Sequence, residues 1–292
     1  MSHVLSLLVD PATPVLDTGL VDRARRAAGD AGPPDWLAPG IACDVPVSAG
    51  AGQRRIRAAL AEAPVDANVV RSERRRKRLL IADMDSTIVT TETLDEIAAH
   101  AGLKEVIAAI TRRSMNGEID FPTALRERVA MLKGLPVEAL RKTLEATTLT
   151  AGARPLVRTM CAQGAYTALI SGGFTFFTEA IGERCGFHLH RSNVLGVEDA
   201  ALTGTLVGPI LDKTAKLASL QELATAHGLD LDETIAVGDG ANDLDMLGAA
   251  GLGVAYHAKP IVNERARVHV RHGDLTALLY LQGYRRDDIV DD

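Results

Sequence analysis

Three short runs of the chain are apolar at nearly every position and end in polar residues. They are Leu79-Leu80-Ile81-Ala82 before Asp83, Thr167-Ala168-Leu169-Ile170 before Ser171, and Thr234-Ile235-Ala236-Val237 before Gly238-Asp239. A strand with both faces apolar suits a parallel sheet covered on both sides. Helical spacing over Leu156 to Gln163 and Lys216 to His227 separates the runs, and this alternation predicts a doubly wound α/β sheet. Ligands of such sheets bind at the carboxyl ends of the strands, where the polar residues of this chain stand.

Residues from 93 to about 150 interrupt that alternation. Leu94, Ile97, Ala98 and Ala101, then Leu125, Val129 and Leu132, recur at helical spacing, which predicts several packed helices inserted after the first strand. The segment Ala201 to Val207, with Gly204 between Thr203 and Thr205, reads as a β-hairpin on the opposite flank. Ahead of the first run, Leu5 to Val9, Val21 to Ala28, Ile41 to Val47, Arg54 to Ala63 and Val65 to Val70 alternate strand and helix patterns, a small α+β unit. Pro33-Pro34, Pro39-Gly40 and residues 49–52 punctuate it as turns. The expected division is therefore 1–75, including a basic linker, and 76–292, including the helical insertion at about 93–150.

A chain of 292 residues is long enough for two such units. Its 47% hydrophobic and 24% charged content is that of a folded globular protein. Net charge is −6, so no overall basic field invites nucleic acid; the run Arg71 to Arg78 carries no interleaved aromatics and reads as a solvated linker. No apolar stretch reaches membrane-spanning length and no leader pattern is seen at the N-terminus. Cys43, Cys161 and Cys185 show no metal spacing and read as buried free thiols in a reducing, cytoplasmic setting. The histidines, His188-x-His190 among them, are given no role.

Chemistry gathers at the three strand ends. Asp83 and Asp85 stand two residues apart, so an extended chain sends both carboxylates to one side, where a hard divalent cation would relieve their repulsion. Asp-x-Asp alone is as well explained by turn and capping roles. Gly238-Asp239-Gly240-Ala241-Asn242-Asp243 adds carboxylates after a second strand, and Ser171-Gly172-Gly173 offers a hydroxyl and open backbone N–H groups after a third, a setting for phosphate. Lys216, with Lys213 as its rival, supplies a fixed cation of the kind phosphoryl transfer uses.

In this order the four pieces resemble the motifs of the haloacid-dehalogenase-like phosphotransferases: Asp-x-Asp, then Ser or Thr after a strand, then Lys, then Gly-Asp-x-x-x-Asp. The resemblance covers about residues 79 to 280, and its wording is nearest to the branch that acts on O-phospho-L-serine. It implies a Rossmann-like α/β core with a helical cap inserted after the first motif, and a magnesium-dependent phosphatase completing serine biosynthesis. Asp83 would be the nucleophile and Asp85 the general acid and base. Mg²⁺ would be held by Asp83, Asp85 (through its backbone carbonyl) and Asp239, with Asp243 in support. Ser171, Gly172, Lys216 and Asn242 would grip the phosphate. Glu92 and Arg128 would hold the amino and carboxylate groups of the substrate, with Met115 and Phe121 lining an apolar pocket.

Residues 1–75 resemble an ACT-like module by element order alone, which suggests amino-acid regulation or a homodimer formed through that unit. Two rivals stay open. The same machinery could serve another small phosphomonoester, such as phosphohomoserine, or act as a phosphotransferase. A response-regulator receiver also combines acidic residues, Mg²⁺ and a lysine, but has no helical insertion.

Overall fold

The computed structural model describes residues 2–115 and 118–291. Its N-terminal part runs β1 (His3–Leu8), α1 (Thr18–Ala28), β2 (Asp35–Ala38), β3 (Ala42–Val47), α2 (Gln53–Ala59) and β4 (Asp66–Arg71). Asp17 caps α1 by accepting from Leu20 N. These strands form an antiparallel sheet in the order β2-β3-β1-β4, a split β-α-β-β-α-β arrangement. The short edge strand β2 falls between the two proline turns and has no alternating pattern to announce it.

The second part runs β5 (Leu79–Ala82), α3 (Thr93–His100), α4 (Lys104–Met115), α5 (Phe121–Ala130), α6 (Val137–Ala146), α7 (Ala153–Ala162), β6 (Tyr166–Phe174), α8 (Thr175–Cys185), β7 (Leu189–Glu198), β8 (Ala201–Val207) and α9 (Lys213–Ala226). It closes with β9 (Thr234–Gly238), α10 (Leu244–Ala249), β10 (Leu252–Tyr256), α11 (Pro260–Arg265), β11 (Val268–Val270) and α12 (Ala277–Leu281). Among the described residues these strands make a seven-stranded sheet ordered β11-β10-β9-β5-β6-β7-β8, parallel except for the final pair. Leu80, Ala82, Leu169 and Val237 pack into a core on one face, and Leu79, Ile81, Ala168, Ile170 and Ala236 into a core on the other. The doubly covered parallel sheet expected from the apolar runs is what the chain forms.

Register decides which residues meet. Ala82 of the central strand β5 pairs with Leu169 on one side and Val237 on the other. The next residues of all three strands, Asp83, Ser171 and Asp239 among them, therefore emerge together at one sheet edge.

The helical insertion leaves and rejoins the core through a narrow neck. Val89 bridges Leu149, Thr90 N donates to Thr148 O at 3.1 Å, and Thr150 N donates to Ile88 O at 2.9 Å. Two expectations need correction here. Residues 201–207 form a single strand; the hairpin is β7 with β8, and its turn is Asp199-Ala200, both left-handed at φ 48° and 59°. That hairpin does not lie away from the insertion but braces it: Gly134 N donates to Leu202 O, and Leu202 N to Leu135 O, both at 2.8 Å. A side chain at Gly204 would sit 2.8 Å from Lys133 Cβ, so the close approach requires glycine.

The basic run is not a solvated linker throughout. Arg75 forms a largely buried ion pair with Asp44 of β3 and donates to the carbonyls of Leu281 and Tyr280 at 2.6 and 3.0 Å. Lys77, also buried, reaches the carbonyls of Arg74 and Asp232 at 2.8 and 2.6 Å. Backbone carbonyls left over at helix and strand ends need donors, and the long basic side chains supply them. Further contacts join β4 to β11: Asn68 exchanges hydrogen bonds with the backbone of His269 at 2.7 and 2.9 Å, and Asp66 accepts from the N–H groups of Arg271, His272 and Gly273.

Of the cysteines, Cys43 and Cys185 are buried, whereas Cys161 is only half-buried, beside Thr167 and His188. Among the described residues no helix is long and apolar enough to cross a membrane.

Candidate active site at the carboxyl ends of three strands

Asp83 follows β5 in extended conformation (φ −71°, ψ 159°), and the chain then folds into a single turn over Met84–Ile88. Within it Asp85 stays extended (φ −65°, ψ 134°) and Ser86 turns left-handed at φ 55°. Strain at a serine is tolerated because tertiary contacts hold the turn: Ser86 N donates to Thr91 O at 3.2 Å, and Ser86 Oγ to Glu92 Oε1 at 2.9 Å.

Four charged groups meet in the buried floor of the site. Lys216 Nζ lies 2.5 Å from Asp83 Oδ1 and 2.6 Å from Asp243 Oδ1, and Asp243 Oδ2 accepts from Gly240 N at 3.0 Å. Lys213, the rival lysine, is exposed at the start of α9. Glycine at 238 makes room for this packing, since a Cβ there would meet Asp243 Cγ at 2.4 Å. Asp239 Oδ2 is 3.2 Å from Lys259 Nζ, which is also 3.5 Å from Glu92 Oε1.

Ligand atoms of Asp83, Asp239 and Asp243 lie within 4.8 Å of one another, all three residues being buried. Hard carboxylate oxygens at that spacing fit a divalent cation, as the resemblance of the sequence motifs implies. Both oxygens of Asp243 already carry donors, so Asp83 and Asp239 have more to offer a metal. Asp85 adds no side-chain oxygen to this group. Its carboxylate turns to Thr93 instead, accepting from Thr93 N at 3.2 Å and Thr93 Oγ1 at 3.3 Å.

Burial dominates the electrostatics. It pushes the Asp83 carboxyl well above the usual range; Lys216 acts against it, and Asp243 acts with it. Burial also works against the charge on Lys216, but Asp243 and Asp83 outweigh it and hold that ammonium above the ordinary lysine value. Asp85 is pushed up to about 7, by burial first and Glu92 second, with the Thr93 hydrogen bonds opposing. Asp239 is raised by burial, against the pull of Lys259.

The Ser171-Gly172-Gly173 turn borders this floor. Ser171 Oγ accepts from Gly173 N at 2.9 Å, and the buried Asn193 donates to Gly172 O at 2.8 Å, fixing the loop from below. A Cβ at Gly173 would lie 3.1 Å from Asp85 Oδ2, and one at Gly172 would lie 3.4 Å from the Phe121 ring. Asp85 and Phe121 thus close over the turn from two sides. Asn242 folds back over Gly240, where a Cβ would meet its Oδ1 at 2.3 Å.

Arg128 stands apart from the carboxylate floor. It donates to Ala124 O at 3.2 Å and to Thr111 Oγ1 at 3.4 Å within the insertion. Burial lowers its pKa, while Asp95 and Glu92 work to raise it. The side chain of Met115 lies outside the described residues. Three residues of the site went unread in the sequence: Thr93, Asn193 and Lys259. Lys259 had a signal, because it follows another apolar run, Leu252–Tyr256, at the carboxyl end of β10.

A family model of the haloacid dehalogenase-like hydrolases matches residues 80–248. The phosphoserine phosphatase of Streptomyces coelicolor is 44% identical over 216 residues, which cover 74% of this chain and 53% of that protein. The chain therefore spans about half the length of that relative. The phosphoserine phosphatase of Methanocaldococcus jannaschii is 40% identical over 205 residues, covering 70% of this chain and 97% of that one. Among solved structures, the probable phosphoserine phosphatase of Vibrio cholerae superposes with a TM-score of 0.81 at 31% identity, covering 98% of this chain and 88% of that chain.

Proposed function

Because the chain belongs to the haloacid dehalogenase-like hydrolases, we propose that it hydrolyses O-phospho-L-serine to L-serine and phosphate through an aspartyl-phosphate on Asp83. The observation that carries this reading is the buried Asp83 carboxylate, gripped by Lys216 at 2.5 Å and flanked by Asp239 and Asp243. The activity named for the relatives supports the choice of substrate, and serine biosynthesis would be its setting.

In the first half-reaction a carboxylate oxygen of Asp83 attacks phosphorus as the bond from phosphorus to the serine oxygen breaks. The electron pair of that bond stays on the serine oxygen, which takes a proton from the Asp85 carboxyl. In the second, water attacks phosphorus, the Asp85 carboxylate takes its proton, and the bond to Asp83 breaks to release phosphate. A group that donates and then accepts needs a pKa near the working pH, and a value of about 7 for Asp85 supports both duties.

Ser171, Gly172, Lys216 and Asn242 hold the phosphoryl oxygens in this reading. Glu92 takes the ammonium of the substrate and Arg128 its carboxylate, since a guanidinium can clasp both oxygens. A magnesium ion bound by Asp83, Asp239 and the backbone carbonyl of Asp85 would supply positive charge shared by the carboxylates and the phosphoryl oxygens. Asp243 supports it by positioning Lys216. Residues 1–75 would form a unit set apart from catalysis, a place for two chains to pair; sedimentation velocity of the full chain tests that pairing. Three cysteines without metal or disulfide spacing support a reducing, cytoplasmic setting.

Phosphate release from O-phospho-L-serine, with and without Mg²⁺, for the wild type and Asp83→Asn, tests the whole scheme. Release is expected from the wild type with metal alone. Full turnover by Asp83→Asn defeats it, and faster release from phosphothreonine, phosphohomoserine or a sugar phosphate overturns the substrate.

A further inference from the structure

Both oxygens of Asp85 are held by one residue. Thr93 N–H points to Oδ1 at 3.2 Å and the Thr93 hydroxyl to Oδ2 at 3.3 Å. Thr93 is fully buried and is the first residue of α3, so it belongs to the helical insertion, whereas Asp85 belongs to the turn that follows β5. The segment between them is folded back on itself by the contacts of Ser86 with Thr91 and Glu92.

An aspartate side chain has two free torsions, and a single hydrogen bond leaves its carboxylate plane free to swing. Two donors at adjacent points fix that plane. Oδ2, the oxygen on the hydroxyl, is also the one that a side chain at Gly173 would touch, so it faces the Ser171-Gly172-Gly173 turn. The oxygen placed to pass a proton toward a phosphate ester held there is thus the one that Thr93 secures.

We propose that Thr93 is a positioning residue for proton donation by Asp85, so that the insertion itself aligns the acid over the phosphate turn. The proposal rests on the assignment of Asp85 as acid made above. Its rival is purely structural. The N–H of Thr93 is one of the unpaired donors at the start of α3, and Asp85 could simply cap that helix, where Glu92 gives no side-chain bond.

Leaving groups separate the two. Serine leaves as a poor alkoxide and needs the proton, whereas nitrophenolate departs from p-nitrophenyl phosphate without one. Single-turnover release of serine and of nitrophenolate is measured for the wild type, Thr93→Val, Thr93→Ala and Thr93→Ser. The Val and Ala variants are expected to slow serine release about 10–100-fold while slowing nitrophenolate release less than about threefold, and Ser, which keeps the hydroxyl, to restore both. Equal losses for the two substrates, or no loss with phosphoserine, overturn the proposal. A wild type inert toward phosphoserine instead defeats the assigned substrate, a result visible before any variant is made.

Discussion

Lys216 Nζ donates to Asp83 Oδ1 across 2.5 Å in a spot where both side chains are shielded from water. A lysine so placed pulls the carboxyl of its neighbour toward the ionised form, opposing the burial that raises its pKa. It also presents positive charge where a phosphoryl group must arrive.

Lys216→Met keeps the stem and removes the charge. Asp83 and Asp243 then face each other uncompensated, so we expect kcat to fall roughly 10²–10³-fold and the melting temperature to drop as well. Steady-state kinetics and thermal unfolding check this; near-normal turnover would remove Lys216 from the reaction.

Gly238→Ala places a methyl group 2.4 Å from Asp243 Cγ. The strand cannot retreat, because β9 is flanked by β5 and β10. The expected loss is about 1–3 kcal/mol of stability with a displaced Asp243 and reduced activity, read by denaturant unfolding and phosphate release.

Asp44→Ala strips Arg75 of its carboxylate partner where the linker joins β3 to the end of α12. Leaving a part-buried guanidinium without its carboxylate is expected to cost about 1–3 kcal/mol, since the carbonyls of Tyr280 and Leu281 remain to it. Chemical denaturation measures the loss. An unchanged midpoint would show the ion pair to be dispensable.

His269 sets a pH dependence. Its pKa is depressed, by burial first, against the hydrogen bond to Ala266 O, with Arg57 and Arg271 adding to the depression. The unfolded chain therefore takes up this proton first as pH falls below about 6.5. The stability contributed by neutral His269 is complete above that value and is lost as pH falls toward the folded-state pKa. Melting temperatures between roughly pH 7.5 and pH 5.5 should fall more steeply for wild type than for His269→Gln; parallel curves would assign the acid sensitivity elsewhere.

Much of the core could be read from the chain because its signals are local. An all-apolar run ending in Asp83, Ser171 or Asp239 predicts both a covered strand and a polar tip, and parallel register then brings the tips together. What escaped reading depends on contacts between distant segments. Nothing near Arg75 indicates that Asp44 awaits it, so a basic run looks solvated. Lys259 gains its meaning only when β10 lies beside β9, and Thr93 only when the turn after β5 folds back. Gly204 resembled the tip of a hairpin because glycine serves equally in a turn and at a close approach; its neighbour Lys133 decided for the second.

The neck at Val89–Leu149 and the brace from Leu202 to Gly134 and Leu135 give the insertion two separate attachments. An engineer wishing to transplant substrate preference from a relative could not exchange residues 90–148 alone, because the donor helices would arrive without the strand that seats them. The interchangeable module also includes the segment from Asp199 to Val207, and chimeras carrying both pieces should keep the recipient's catalytic strands undisturbed.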